Sequence, residues 1–198
     1  MGSIIANELT AAYPNDVDAV ILGAFSKSWV AAVPGFVITA LLLPAAVTDP
    51  TRYSGLPIGY LIGSSPSGVA FELFYGPGQH YDEMYINWDY RSRGTISVGE
   101  GVTGAVGILT ANRYKGDVLV ITGQQDVPFC GSLGLTINGP GNCGSGKSSI
   151  LEQTKSLYPA ARNYTWFAVP NSGHCWMHQY NAKLGFKVMT DWLEARGF

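Results

Sequence analysis

Apolar residues recur at helical spacing from the start of the chain, at Ile4, Ile5, Leu9 and Ala12, until Pro14 ends the run. This predicts a first helix with no side-chain signal for its beginning. "VDAVILGAF", from Val17 to Phe25, then reads as a buried strand. The longest apolar stretch, "WVAAVPGFVITALLLPAAV" from Trp29 to Val47, is long enough to raise the question of a membrane span. Pro34, Gly35 and Pro44 would break such a helix, Thr39 interrupts it, and no basic residues directly flank its C-terminal side, so a pair of short buried or cleft-lining helices is expected. Further on, "DVLVITG", Asp117 to Gly123, is rich in β-branched residues and leaves Asp126 just past a strand end. An amphipathic helix "SSILEQTKSLYPAA", a strand "YTWFAVP" (Tyr164 to Pro170), a loop "NSGHCWMHQY" and a last helix ending "VMTDWLEARGF" complete the chain. Strand, acid, helix, strand, histidine, helix is the order of an α/β protein with parallel strands.

Composition narrows the class of partner. The 198 residues suit one ordinary domain with a sizeable core, and 46% hydrophobic against 13% charged residues makes it apolar. The 25 glycines and 11 prolines make it rich in loops. Twelve basic and 14 acidic residues, with no run of either sign, give no footprint for nucleic acid or for an anionic membrane surface. Small, weakly charged ligands are the expected partners. The N-terminus lacks a basic region and carries Glu8 where a targeting signal would be apolar.

"MGSIIANELTAAYP" resembles the tail of a nucleophile elbow, G-x-S-x-G, running into its helix, and the chain as a whole resembles the α/β-hydrolases. Within them it is most similar to a group of fungal serine hydrolase-like proteins, through "YLIGSSPSGVAFELFYGPG" and "TISVGE". The resemblance implies an α/β chain with a partial α/β-hydrolase fold: the last three strands of a mostly parallel sheet plus a helical cap. Residues 1–25 would be the elbow helix and a core strand, 26–104 the cap, and 105–198 the core carrying acid and histidine. It further implies that Asp126 is the triad acid, that His174 is the general base, and that the nucleophilic serine lies one residue before Met1. The backbone N–H of Met1 would then be one oxyanion donor. An edge left by "VDAVILGAF" would be unpaired and apolar.

Each assignment has a plainer counterpart. Asp126 before Val127-Pro128 is also a turn former, and His174 is also an ordinary loop histidine; together, in order on successive strand ends, they make a triad pair. His178 is the nearby competitor, and His80 falls in the cap. Ser3 has Ile5 where an elbow needs glycine, while Ser132 in "CGSLG" has Cys130 two positions before it. "GPGNCGSGKSS" matches a phosphate-binding loop at Gly141, Gly146, Lys147 and Ser148, but does not leave a buried strand directly. No spacing suits a metal, and no cofactor is implied.

Cys130 and Cys143 bracket this glycine-rich loop as a candidate disulfide, with two free thiols as the alternative. With the sequon Asn163-Tyr164-Thr165 the pair leans toward a secreted parent protein. Cys175 reads as a packed residue. The expected substrate is a small apolar ester-like molecule, with Phe36, Leu41, Phe71, Phe74, Tyr75 and Trp88 as candidate contacts. The sequence leaves the oligomeric state open.

Overall fold

The computed structural model describes residues 1–29, 41–66, 74–76, 80–130 and 143–198. Phe36, Phe71, Ser132 and Gly141 lie outside the described residues. Helix α1 (Gly2–Ala12) leads to strand β1 (Ala19–Gly23), and β5 (Asp117–Gly123) and β6 (Asn163–Val169) complete a parallel sheet in the order β1-β5-β6. Asp117 of β5 stands opposite Ala19 on one side and Asn163 on the other. All seven residues of β5 are buried, because both its edges are hydrogen-bonded and both its faces covered. On one face Val118 and Val120 pack with Ile4, Phe25, Tyr114 and Tyr158. On the other, Ile121 joins Val169, Trp176 and, from the last helix, Val188 and Met189. Among the described residues β1 pairs only with β5 and so forms the sheet's edge.

Helix α1 is present where its spacing predicts, yet its buried positions are Ile4, Asn7 and Thr10, while Ile5 and Leu9 are exposed. The inward face is therefore partly polar. Asn7 compensates for its burial by donating to the Leu109 carbonyl (3.0 Å) and the Tyr158 hydroxyl (2.9 Å), while accepting from the Leu109 N–H (2.8 Å). It thereby ties the first helix to the segment entering β5.

The segment between β1 and β5, for which a helical cap is expected, carries helices together with a small sheet. It contains a second, antiparallel sheet of β2 (Leu42–Pro44), β3 (Tyr60–Gly63) and β4 (Ile96–Ser97) in that order. Short helices α2 (Ala45–Thr48) and α3 (Pro50–Tyr53) follow β2, α4 (Glu83–Ser92) precedes β4, and α5 (Val98–Val106) follows it. Of the expected helix pair across Trp29–Val47, the described part at Leu42–Pro44 is strand. Pro44 is tolerated there because it ends an edge strand, where no N–H is required of it. The motif "TISVGE" is the start of α5: the Ser97 hydroxyl accepts the Glu100 N–H and the Glu100 carboxylate accepts the Ser97 N–H, a reciprocal helix cap. Among the described residues no helix is long and apolar enough to cross a membrane.

Beyond β5 come α6 (Val127–Cys130), α7 (Ile150–Gln153) and α8 (Ala182–Glu194). The amphipathic helix expected over "SSILEQTKSLYPAA" is broken. After α7 it tightens into a 3-10 turn at Thr154–Leu157, where the buried Thr154 hydroxyl donates back to the Ile150 carbonyl (2.8 Å) and accepts from the Lys27 N–H (3.1 Å).

Candidate active site

The end of β5 and the loop after β6 are brought together by close backbone contact. The Gln124 N–H donates to the Val169 carbonyl (2.9 Å) and the Gln125 N–H to the Ser172 carbonyl (2.8 Å). A Cβ at Gly123 would stand 2.0 Å from the Gly173 carbonyl oxygen, and one at Gly173 2.4 Å from the Tyr75 carbonyl carbon. Only glycine allows the acid loop, the histidine loop and the strap at 74–76 to stack so closely. The strap is fastened by the Cys175 N–H on the Phe74 carbonyl (2.6 Å) and by Gln179, whose amide donates to the Tyr75 carbonyl (3.0 Å) and accepts from the Gly173 N–H (3.1 Å).

On this frame Asp126 is fully buried, with its carboxylate within reach of His174 Nδ1 at 3.2 Å from Oδ1 and 3.1 Å from Oδ2. The Phe129 N–H donates to Oδ1 (2.9 Å) and the Thr122 hydroxyl to Oδ2. An ionised carboxylate only accepts, so Nδ1 carries the proton and Nε2 of a neutral ring is left as an acceptor. The His174 ring lies on Phe129, with centroids 5.6 Å apart and planes 6° from parallel, and is tilted against Phe74 at 5.8 Å. Trp29 stacks on Phe129 in turn, at 5.2 Å. The ring is thus held at one edge by a carboxylate and on its face by aromatic contact, with its side chain 18% exposed.

Cys130, at the end of α6, is disulfide-bonded to Cys143, with Cα atoms 4.7 Å apart. The Cys130 N–H also donates to the Asp126 carbonyl (2.7 Å), and the Cys143 N–H to that of Gln124 (2.9 Å). The bridge therefore clamps both ends of the acid-bearing turn. Cys175 is a free thiol whose pKa is pushed up to about 12 by burial and by the nearby Asp89 and Asp126. It stays protonated at neutral pH and is no nucleophile.

A cavity of about 470 Å³ lies between the antiparallel sheet, α4 and this loop, lined by Leu42, Leu61, Ile62 and Ile96 with Phe74, Asp89, Cys175 and His178. Phe74 touches both the His174 ring and the cavity. Asp89 accepts the hydroxyl proton of Tyr75 and lies 3.8 Å from His178 Nδ1, and the His178 ring stacks on Tyr85 at 6.1 Å. His178 thus has a different carboxylate from His174. Of the other candidate contacts, Phe74 is half-buried and Tyr75 buried, whereas Leu41 and Trp88 are exposed.

The remaining expected residues fall elsewhere. His80 is exposed, and its carbonyl accepts the Tyr180 N–H (3.1 Å). Ser3 donates to the Gly23 carbonyl (2.5 Å). The Met1 side chain lies against Gly104, where a Cβ would come within 2.8 Å of its Cε and 3.7 Å of Trp29 Nε1. Burial lowers the pKa of the Met1 amine, against the opposing pull of Glu100. Gly146–Ser148 form an exposed 3-10 turn in which the Ser148 hydroxyl donates to the Ser145 carbonyl (2.9 Å). Asn163 of the sequon donates its amide to Asp117 (2.7 Å). Among the described residues no cluster of His, Cys, Asp and Glu could hold a metal.

Thr122 and Phe129 are parts of the site that sequence reasoning missed. Phe129 carried a faint signal, since Asp126 followed by Val127-Pro128 is a helix-start pattern whose aspartate accepts from the third residue on. Thr122 carried none beyond its place in the strand.

No protein-family model matches this chain, and no curated protein is similar to it. Among solved structures it is similar to Rv0554 from Mycobacterium tuberculosis, at 14% identity and a TM-score of 0.51, covering 97% of this chain and 62% of that one. It is also similar to the putative non-heme bromoperoxidase BpoC from Mycobacterium tuberculosis H37Rv, at 15% identity and a TM-score of 0.47, covering 97% and 63%. The likeness to Rv0554, with the parallel sheet, shows a fold of the α/β-hydrolase kind and no more than the fold, and the chain spans less than two thirds of the length of either structure.

Proposed function

We propose that this chain is the C-terminal part of a serine hydrolase that cleaves an ester, thioester or amide bond, its substrate small and apolar. The observation carrying the reading is the buried Asp126 carboxylate on His174 Nδ1, with Nε2 left to accept a proton. In this reading the nucleophilic serine immediately precedes Met1. Its proton passes to Nε2 as its oxygen bonds the acyl carbon, and the same proton then goes to the leaving group as the scissile bond breaks. Water repeats the transfer and releases the acid. The Met1 N–H would then be an amide donor to the oxyanion. Residues 26–104 act as the cap, and the narrower likeness to fungal serine hydrolase-like proteins belongs to the same reading.

The test is to express the chain alone and with its upstream reading frame restored, and to treat both with a fluorophosphonate probe. Labelling of the extended form only, lost on His174→Ala, is expected. Two folded forms that both stay unlabelled would overturn the reading. A second reading, a non-catalytic small-molecule binder, is favoured by the apolar cavity, which needs no serine to take a ligand.

A further inference from the structure

The apolar cavity has a few polar groups on its lining, and they are unequally satisfied. Leu42, Leu61, Ile62, Ile96 and Phe74 supply its apolar lining, while Asp89 and His178 supply a carboxylate and an imidazole. The other charged group on the lining, Arg93, is already engaged: Nε donates to the Gly63 carbonyl (3.0 Å), Nη1 to that of Tyr90 (2.5 Å), and the guanidinium lies 3.9 Å over the Tyr90 ring. Asp89 is held from behind by the buried Tyr75 hydroxyl on Oδ2. Burial and Asp89 itself push the Tyr75 pKa far up, so the phenol remains a donor. His178 Nδ1, at 3.8 Å, is beyond hydrogen-bond distance. Oδ1 receives no hydrogen bond from the described residues.

We infer that this cavity selects substrates whose apolar group ends in a hydrogen-bond donor, an alcohol or a protonated amine, with Asp89 as the specificity-determining acceptor. The inference rests on the hydrolase reading only for the bond that is cut; the binding preference stands apart from it. A purely apolar occupant would strip water from Asp89 and return nothing, whereas a terminal donor replaces that water. Tyr75 fixes the carboxylate so that little ordering is left for the ligand to impose. Cys175, whose thiol burial keeps protonated, is on the same lining and supplies no cation.

The experiment is calorimetric titration of the chain with n-hexanol, n-hexylammonium and methyl pentyl ether, which share length and differ in the terminal donor. The two donors should bind about tenfold more tightly than the ether. A tighter ammonium marks a charged terminus as the preferred source of the donor, and a tighter alcohol a neutral one. Asp89→Asn should erase the advantage of the ammonium, and Leu61→Trp should abolish binding of all three by filling the cavity. An ether that binds as well as the donors, or no saturable binding of any probe, overturns the inference whether or not either variant folds. Fluorophosphonate labelling reads the hydrolase proposal separately, so the failure of one is distinguishable from the failure of the other.

Discussion

Phe129 holds both halves of the Asp126–His174 pair: its backbone N–H donates to the Asp126 carboxylate at 2.9 Å, and its ring lies 6° from parallel to the imidazole. Phe129→Leu keeps the backbone contact and removes the flat surface. In the extended form, fluorophosphonate labelling should slow by about tenfold to a hundredfold, as expected when a base loses its fixed plane. An unchanged labelling rate would show that Asp126 alone orients the ring.

Thr122→Val removes the hydroxyl that donates to Asp126 Oδ2 without changing the volume of the strand. The carboxylate is fully buried, so solvent does not replace the lost donor. Unfolding free energy in urea should fall by about 1–3 kcal/mol.

Reduction of Cys130–Cys143, or Cys143→Ser, opens a loop whose ends are 13 residues apart. The expected loss of stability is about 2–4 kcal/mol, read from the urea midpoint with and without reductant. Thiol titration of the denatured chain should count one free cysteine before reduction, Cys175, and three after it.

Asp117 lies buried at the start of β5, where Arg162 (2.5 and 3.1 Å), Asn163 and more distantly Arg196 hold its carboxyl below the usual carboxylate range. A lowered folded-state pKa gives stability that is present in full above the unfolded value of about 3.9 and is lost as pH falls through the folded one. Urea midpoints between neutral pH and pH about 2 should therefore drop more steeply for the wild type than for Asp117→Asn. Parallel slopes would remove Asp117 from the acid response.

Among the described residues no strand pairs with the outer edge of β1, which would leave its backbone ladder open to another chain. The chain on its own should associate with rising concentration, with light scattering above that of a 21.2 kDa monomer. A monomeric product that melts cooperatively contradicts this.

Much of the parallel sheet was legible along the chain. The run Asp117–Gly123 is β5 to the residue, since a strand covered on both faces is apolar throughout and announces itself without partners. That Asp126 and His174 lie near each other was legible for a related reason: both follow ends of strands that pair side by side in one parallel sheet. The small antiparallel sheet was not. Leu42–Pro44 looks helical by local pattern, and becomes a strand only because β3 supplies its hydrogen bonds.

The sequence by itself determined the α/β class, the order of Asp126 and His174 along the chain, and which cysteines bracket the glycine-rich loop, because these follow from local periodicity and position along the chain. Tertiary structure alone decided that α1 turns Asn7 and Thr10 inward, that Phe129 faces His174, and that Asp89 lines an apolar cavity. Those contacts join residues from separate elements of the chain, or depend on which helical face is covered. The energy that selects them, burial with every polar group paired, exists only once the distant partners have met.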